Sequence, residues 1–346
     1  MPFHPSRPVK ALGAVVALGV LLGACTTAAP APLASRDRQI SSSPAMSTTT
    51  GSTPAATMPP RAAPSVTTPS VSTPSPTTPA RTARPFDTSA AHDLVERLAG
   101  IGPRDAVSKA YRRAADLVVD EFTDLGFTVR QQRVPVPAGV SWGIRVPAGT
   151  TVNVVADPPD FDARRPHIVL GAHLDTVPQA PGAEDNASGV AVLVELARML
   201  SEQPAKLPVR LVAFGAEESR RSGWQWYAFG SRHFVGTLDA VQRKAVRAMV
   251  SLDRVGRATT AVPVCHGGRG STAVADHLRD AATVRTKPCV NRASDHVSFE
   301  RVGIAAARIG SVPYDQYHSS ADKARVVDRR QLGRSATVVW TWLRGL

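Results

Sequence analysis

Long apolar runs, cysteine and aromatic side chains are all scarce in this chain. The apolar stretch near its start, Ala11–Leu22, is too short to span a bilayer, which excludes a transmembrane helix there. Aromatic residues make up 5% of 346 positions, and no basic stripe is interleaved with them. The net charge of +13 therefore reads as a dispersed, solvated basic surface and not as a nucleic-acid interface. There are three cysteines. One, Cys25, stands apart near the start, and Cys265 with Cys289 forms an even pair that suggests a disulfide in an oxidising compartment. Two separate buried thiols are the other reading, since sequence does not show whether their Cβ atoms meet. No Gly-x-Ser-x-Gly elbow occurs, so the chemistry does not need a serine nucleophile of that kind.

What is present begins with a secretory signal. Met1–Ala24 has a basic start (Arg7, Lys10), the apolar run, then small residues. Leu22-Gly23-Ala24-Cys25 resembles a bacterial lipobox, in which the cysteine is lipidated and becomes the new N-terminus. A plain signal peptide with Cys25 incidental is the alternative. Residues 25–86 are dominated by Pro, Ser, Thr and Ala and cannot bury enough apolar surface to offset their ordering entropy. They read as a disordered, semi-stiff tether. Residues 1–86 carry seven Lys/Arg against one acid, and residues 87–346 carry 34 against 27. The tether arginines favour an anionic lipid surface.

Residues 87–346 fit one α/β domain. Apolar spacing predicts helices over Ser89–Leu98 and Ser108–Leu125, the second stopped by Gly126, then a strand over Phe127–Val136. Thr151–Ala156, His167–Leu170, Val209–Phe214, Ala248–Leu252 and Ala305–Ile309 are short runs rich in aliphatic residues, as central strands covered on both faces require. Helical patterns over Ala187–Leu200, Thr272–Ala282 and Arg329–Leu343 lie between or after them. The alternation predicts a three-layer α/β/α sandwich around a mostly parallel, mixed sheet, with ligands at the carboxyl ends of the strands.

Six chemistry-bearing residues sit at such ends or in loops. His173 follows a strand, with Asp175 two positions on to orient its ring. Asp185, in Gly182-Ala-Glu-Asp-Asn-Ala-Ser-Gly189, stands where a helix begins, so it is a cap or a bridging ligand. Glu217 and Glu218 close another strand, where one ligates and the other moves a proton, or both form an exposed acidic pair. Asp253 ends a fourth strand, and His318 comes late beside Tyr317 with Asp322 four residues beyond. Two histidines and four carboxylates are ligand types for a pair of zinc ions with a general base beside them.

The order and spacing of these motifs resemble the M28 family of zinc peptidases from about Ala91 onward. The likeness includes Gly102-Pro-Arg104, Ser294-Asp-His296 and Gly303-Ile304. The resemblance implies that His173 and Asp253 bind one Zn2+ and Glu218 and His318 a second, two per chain. Asp185 would bridge them, with a cis peptide at Asp185–Asn186. It further implies Glu217 as general base, Tyr317 as donor to the oxyanion and Asp175 as the residue orienting His173. Asp295 and Asp322 are supporting candidates. The chain departs from the family in the longer stretch Ser219–Phe229, which carries Trp224, Trp226 and Tyr227. It is either local packing or a lip over the cleft.

The expected function is an exported, lipid-anchored metallo-aminopeptidase on the outer face of the cytoplasmic membrane. Its partners would be peptides or protein N-termini and the membrane itself, and the expected state is a monomer. A carboxypeptidase or dipeptidase on the same site, a glutaminyl cyclase and a non-catalytic surface binding module are the alternatives.

Overall fold

The computed structural model describes residues 84–346. The signal segment, Cys25 and the tether up to residue 83 lie outside the described residues. Among the described residues, no helix is long and apolar enough to cross a membrane.

Helix α1 (Thr88–Gly100) starts at Asp87, whose carboxylate accepts from the amides of Ser89 and Ala90. Helix α2 (Lys109–Asp124) starts at Ser108, whose hydroxyl accepts from the Tyr111 amide. Gly126, at φ +84°, turns the chain out of α2. Strand β1 (Thr128–Val136) follows, then a short hairpin of β2 (Gly139–Ser141) and β3 (Ile144–Val146), then β4 (Gly149–Asp157). The hairpin lacks an apolar alternation long enough to be read from sequence.

The centre is built from β5 (His167–His173), α3 (Ser188–Glu202) and β6 (Val209–Phe214). Next come α4 (Phe229–Gly236), α5 (Ala240–Ala245), β7 (Val246–Asp253) and β8 (Val262–His266). The chain closes with α6 (Ala273–Ala281), β9 (Thr286–Val290), α7 (His296–Glu300), β10 (Ala306–Gly310) and α8 (Arg329–Gly345). Eight strands make one sheet in the order β1-β4-β6-β5-β7-β10-β8-β9. The inner four, β6-β5-β7-β10, run parallel. Strand β4 joins β6, β1 joins β4 and β8 joins β10, all antiparallel, so the sheet is mixed.

Every residue of β5 is buried, because helices cover both faces. Ile168, Leu170 and Ala172 pack into a core shared with α1, α2, α3 and α8. Val169, between them, faces the opposite layer, where Phe214, Phe234 of α4 and Phe299 of α7 cluster. Each such side chain contributes about 1.5–3 kcal/mol by leaving water. This two-sided burial explains why the strand reads as a continuous apolar run. Strand β9 carries Lys287 and Pro288 at exposed positions, as suits a sheet edge, and among the described residues it pairs only with β8. Cys265 and Cys289 stand opposite each other in that pair and are joined by a disulfide, with a Cα–Cα distance of 4.4 Å.

Candidate metal centre

The parallel strands bring their carboxyl ends to one edge of the sheet. His173 is the last residue of β5 and Asp253 the last of β7, while Glu217 and Glu218 lie in the loop after β6. Asp185 sits in the single turn Ala183–Ala187 ahead of α3, and His318 in the loop between β10 and α8. Six residues spread over 146 positions thus meet at one place.

Their geometry has a two-fold character. One oxygen of Asp185, Oδ1, lies 3.1 Å from His173 Nε2, and the other, Oδ2, lies 3.1 Å from His318 Nε2. Each histidine has a further carboxylate near the same nitrogen: Asp253 Oδ1 at 3.7 Å from His173 and Glu218 Oε1 at 3.1 Å from His318. Donor atoms of His173, Asp185 and Glu218 all fall within 4.8 Å of one another. Oε1 of Glu218 and Oδ1 of Asp253 are buried acceptors without a well-formed hydrogen bond. Buried carboxylates are normally paired with charge or metal. Imidazole nitrogens and carboxylate oxygens converging in two groups, with one carboxylate shared, fit a pair of divalent ions of the zinc type.

A ring of side chains that are not candidate ligands holds these loops. The Asp185–Asn186 peptide is cis. Asn186 donates to the Leu252 carbonyl at 2.9 Å and accepts from the amides of Gly189 and Arg254. A side chain at Gly189 would collide with the Leu252 carbonyl and with Asn186, which accounts for glycine there. Glu184 accepts from the amides of Gly256 and Arg257, linking the Asp185 turn to the loop after β7. Asp322 accepts from the amides of Glu184 (2.9 Å) and Asp185 (3.2 Å) and from the Tyr314 hydroxyl (2.9 Å). Arg104, fully buried, donates to the carbonyls of Leu98, Leu174 and Gly182.

Asp175 differs from its sequence reading. Its carboxylate stands 3.8 Å from His173 Nδ1, too far for a hydrogen bond, and that nitrogen donates to the Asp175 backbone carbonyl at 3.2 Å. The carboxylate instead accepts from the amides of Glu217 (2.9 Å) and Glu218 (3.1 Å). Two convergent backbone donors hold it away from the ring. Asp295 is fully buried with neither oxygen in a well-formed hydrogen bond, and burial pushes its carboxyl up to about 7.

Two residues were not singled out from the sequence. Arg308, in β10, places Nη2 3.0 Å from Asp253 Oδ1 and donates to Asn291 Oδ1 at 2.9 Å and to the Ala293 carbonyl. Its only signal was a cation inside the apolar run Ala305–Ile309. Trp142, at the tip of the β2–β3 hairpin, stands edge-on to His318 with ring centroids 4.4 Å apart. Its signal was a lone tryptophan in a Gly/Pro-rich stretch. Arg220 fastens that hairpin: it is buried, donates to the carbonyls of Pro137 and Pro147, and pairs with Asp105 at 3.1 Å.

The six residues His173, Asp185, Glu217, Glu218, Asp253 and His318, with Arg308 and Trp142, line a cleft of about 530 Å3, a size suited to small ligands. Of the aromatic stretch Ser219–Phe229, Tyr227 lines the cleft and donates to the Arg292 carbonyl at 2.7 Å. Trp224 packs edge-on against Tyr227 and face-on against Arg301, and Trp226 against Arg221. The tryptophans are therefore local packing, and of the aromatic residues in this stretch only Tyr227 lines the cleft, beside Ser219. Tyr317 is 39% exposed, stacks on His318 at 3.7 Å and lies under the Arg254 guanidinium at 4.6 Å.

The electrostatics follow from crowding. Burial alone would lower His173 and His318, but the carboxylates around them prevail: His173 is raised well above its ordinary value and His318 to about 10. Burial would raise Asp185, yet its two histidine partners hold it well below the usual carboxylate range. Glu217 is raised well above the usual range, first by burial and then, against the pull of His173, by Glu218, Asp295 and Asp253.

Comparison with known proteins agrees with this architecture. Residues 153–343, more than half of the chain, match the model of peptidase family M28. Aminopeptidase YwaD of Bacillus subtilis is 30% identical over 205 residues, which are 55% of this chain and 43% of that protein. The probable lipoprotein aminopeptidase LpqL of Mycobacterium tuberculosis is 28% identical over 252 residues, 58% of this chain and 49% of that one. The match thus spans less than half the length of either relative. A solved zinc aminopeptidase from Bacillus subtilis superposes with a TM-score of 0.67 at 19% identity, covering 75% of this chain and 95% of that one. Glutaminyl cyclase from Bacteroides thetaiotaomicron superposes with a TM-score of 0.66 at 18% identity, covering 76% and 99%. With its sheet, helices and family match in agreement, the chain belongs to peptidase family M28.

Proposed function

We propose that this chain is a zinc aminopeptidase that hydrolyses the N-terminal bond of peptides. His173 and Asp253 would hold one zinc ion, Glu218 and His318 a second, and Asp185 both. The observation that carries this reading is the Asp185 carboxylate, which offers one oxygen to each histidine at 3.1 Å. Bound there, the ions would polarise the scissile carbonyl and make water a stronger acid near neutral pH. Glu217 takes the proton of the attacking water and hands it to the leaving amine. Asp175 positions the base by gripping its backbone amide. Tyr317 supplies a hydroxyl from the rim to the oxyanion that develops. Arg308 balances Asp253 and holds its carboxylate in place.

The test is Glu217→Gln with zinc content measured alongside. The expected result is two zinc ions per chain in both proteins, and a loss of about 10²–10⁴-fold in turnover of free-N-terminus peptides by the variant. Full turnover by the loaded variant removes Glu217 from the base role. Cleavage of N-blocked but not C-blocked peptides makes the enzyme a carboxypeptidase. One zinc ion with ring closure of N-terminal glutamine makes it a cyclase.

The proposed location is outside the cytoplasmic membrane, with Cys25 lipidated and residues 25–86 as the tether. The signal-like start and the likeness to a relative named as a lipoprotein support this. Labelled palmitate should enter the chain and should not enter Cys25→Ala.

A further inference from the structure

The cleft has opposite charge at its floor and its rim. Its four carboxylates, Asp185, Glu217, Glu218 and Asp253, belong with His173 and His318 to the metal centre, and the charged residues lining it outside that centre are arginines. Arg308 is buried and committed to Asp253, Asn291 and Ala293. Arg254 is mostly buried, stands 4.0 Å from Asp253 Oδ1, donates to Ser311 Oγ at 2.9 Å and covers the Tyr317 ring. Arg292 is different. It is exposed, and its guanidinium makes no hydrogen bond and no ion pair among the described residues. Its backbone is fixed, because its carbonyl accepts the Tyr227 hydroxyl at 2.7 Å and Asn291 beside it is held by Arg308. The wall formed by residues 290–293 is further anchored by the disulfide at Cys289. A cation on an anchored backbone at the mouth of a cleft, without an acid of its own, is poised to meet an anion from outside.

We propose that Arg292 forms an anion-reading subsite on the leaving-group side of the cleft, selecting peptides with a carboxylate just beyond the scissile bond. The inference rests on the aminopeptidase reading above: the substrate's amino end goes to the acidic floor, so the chain beyond the first residue runs outward past the rim. Two sources carry the same chemistry there, the free C-terminus of a dipeptide and an acidic second side chain. Charge-assisted pairing of a planar guanidinium with either is bidentate.

The experiment uses the zinc-loaded protein and four substrates: Leu-Gly, Leu-Gly-amide, Leu-Glu-amide and Leu-Gln-amide. Each anionic member should exceed its neutral partner by about tenfold in kcat/KM, mainly through KM, with the advantage shrinking in high salt. In Arg292→Gln the ratio should fall to about twofold or less, with turnover of the neutral members unchanged. Preference for Leu-Gly without preference for Leu-Glu-amide assigns the subsite to the peptide's C-terminus, and the reverse assigns it to the side chain. Calorimetry with reduced-bond Leu-Glu-amide and Leu-Gln-amide reads the same ratio without turnover, and a melting curve checks the fold of the variant. Equal hydrolysis of all four substrates, or a ratio that survives Arg292→Gln, overturns the subsite and leaves the aminopeptidase intact. No turnover of any substrate overturns the aminopeptidase reading and the subsite with it.

Discussion

Asp322 touches no candidate ligand side chain, yet replacing it should loosen the metal centre. Its carboxylate accepts from two backbone amides of the turn that carries Asp185 and from the Tyr314 hydroxyl. In Asp322→Asn the side chain keeps one acceptor oxygen and turns a donor toward the second amide. One charge-assisted hydrogen bond is lost and one buried N–H is left unpaired, together about 3–5 kcal/mol. For a domain of this size that corresponds to a fall in Tm of roughly 10 °C or more. Removal of an outer hydrogen-bond partner also lowers metal affinity, by about 10–100-fold. Tyr314→Phe leaves both amides paired and should show the smaller effect on each readout. The assays are thermal unfolding in chelator and competition of the zinc-loaded protein against a chromophoric chelator. If Asp322→Asn melts with the wild type and releases zinc at the same chelator concentration, the turn is not held by these bonds and the argument fails.

Three further outcomes follow from other parts of the molecule. His296 is fully buried and, through burial and the nearby Arg308, is pushed down to about 3. The unfolded chain takes up this proton near pH 6.5 while the folded chain refuses it, so stability falls as pH drops from 6.5 toward 3, by on the order of 4–5 kcal/mol. Urea titrations in chelator should show that slope, and His296→Gln, which still donates to the Asn291 carbonyl, should flatten it. Replacing Cys265 and Cys289 by serine opens a link between residues 24 apart and should destabilise the domain by about 3–4 kcal/mol, read as a shift in the urea midpoint. Trp142→Ala removes the ring beside His318 and should raise KM for peptides with an apolar first residue about tenfold while zinc content stays unchanged. A change in zinc content instead would make Trp142 a support of the metal centre.

The strands that sequence shows plainly are those buried on both faces. Strands β5, β6, β7 and β10 read as largely apolar runs because helices lie above and below them, broken by Arg210, Arg247, Ser251 and Arg308, and His173 and Asp253 stand out as polar residues at their ends. The edge is harder to read. Strand β9 has exposed Lys287 and Pro288, and the β2–β3 hairpin has too few buried positions to show a period. The sequence pattern could suggest which residue types gather, but not which partner each one takes. Asp175 sits two residues after His173, a spacing that suggests an imidazole–carboxylate bond. The backbone amides of a loop 42 and 43 positions away take the carboxylate instead. For the stretch Ser219–Phe229 the pattern left local packing and a lip both open, and the packing of Trp224 on Arg301 and of Trp226 on Arg221 fits the first. The partner that Asp175 takes is a long-range one, to which local pattern is blind.

The ties made by Glu184, Asn186, Asp175 and Asp322 run from a side chain to backbone groups of the ligand-bearing segments. None of them needs a metal ion to form. These ties predict that ordinary folding sets the loops and that the folded chain takes up its zinc afterwards. Metal capture then orders few residues, so little conformational entropy opposes it. A chelated domain should keep its far-ultraviolet dichroism and regain activity on adding zinc back, without a refolding lag.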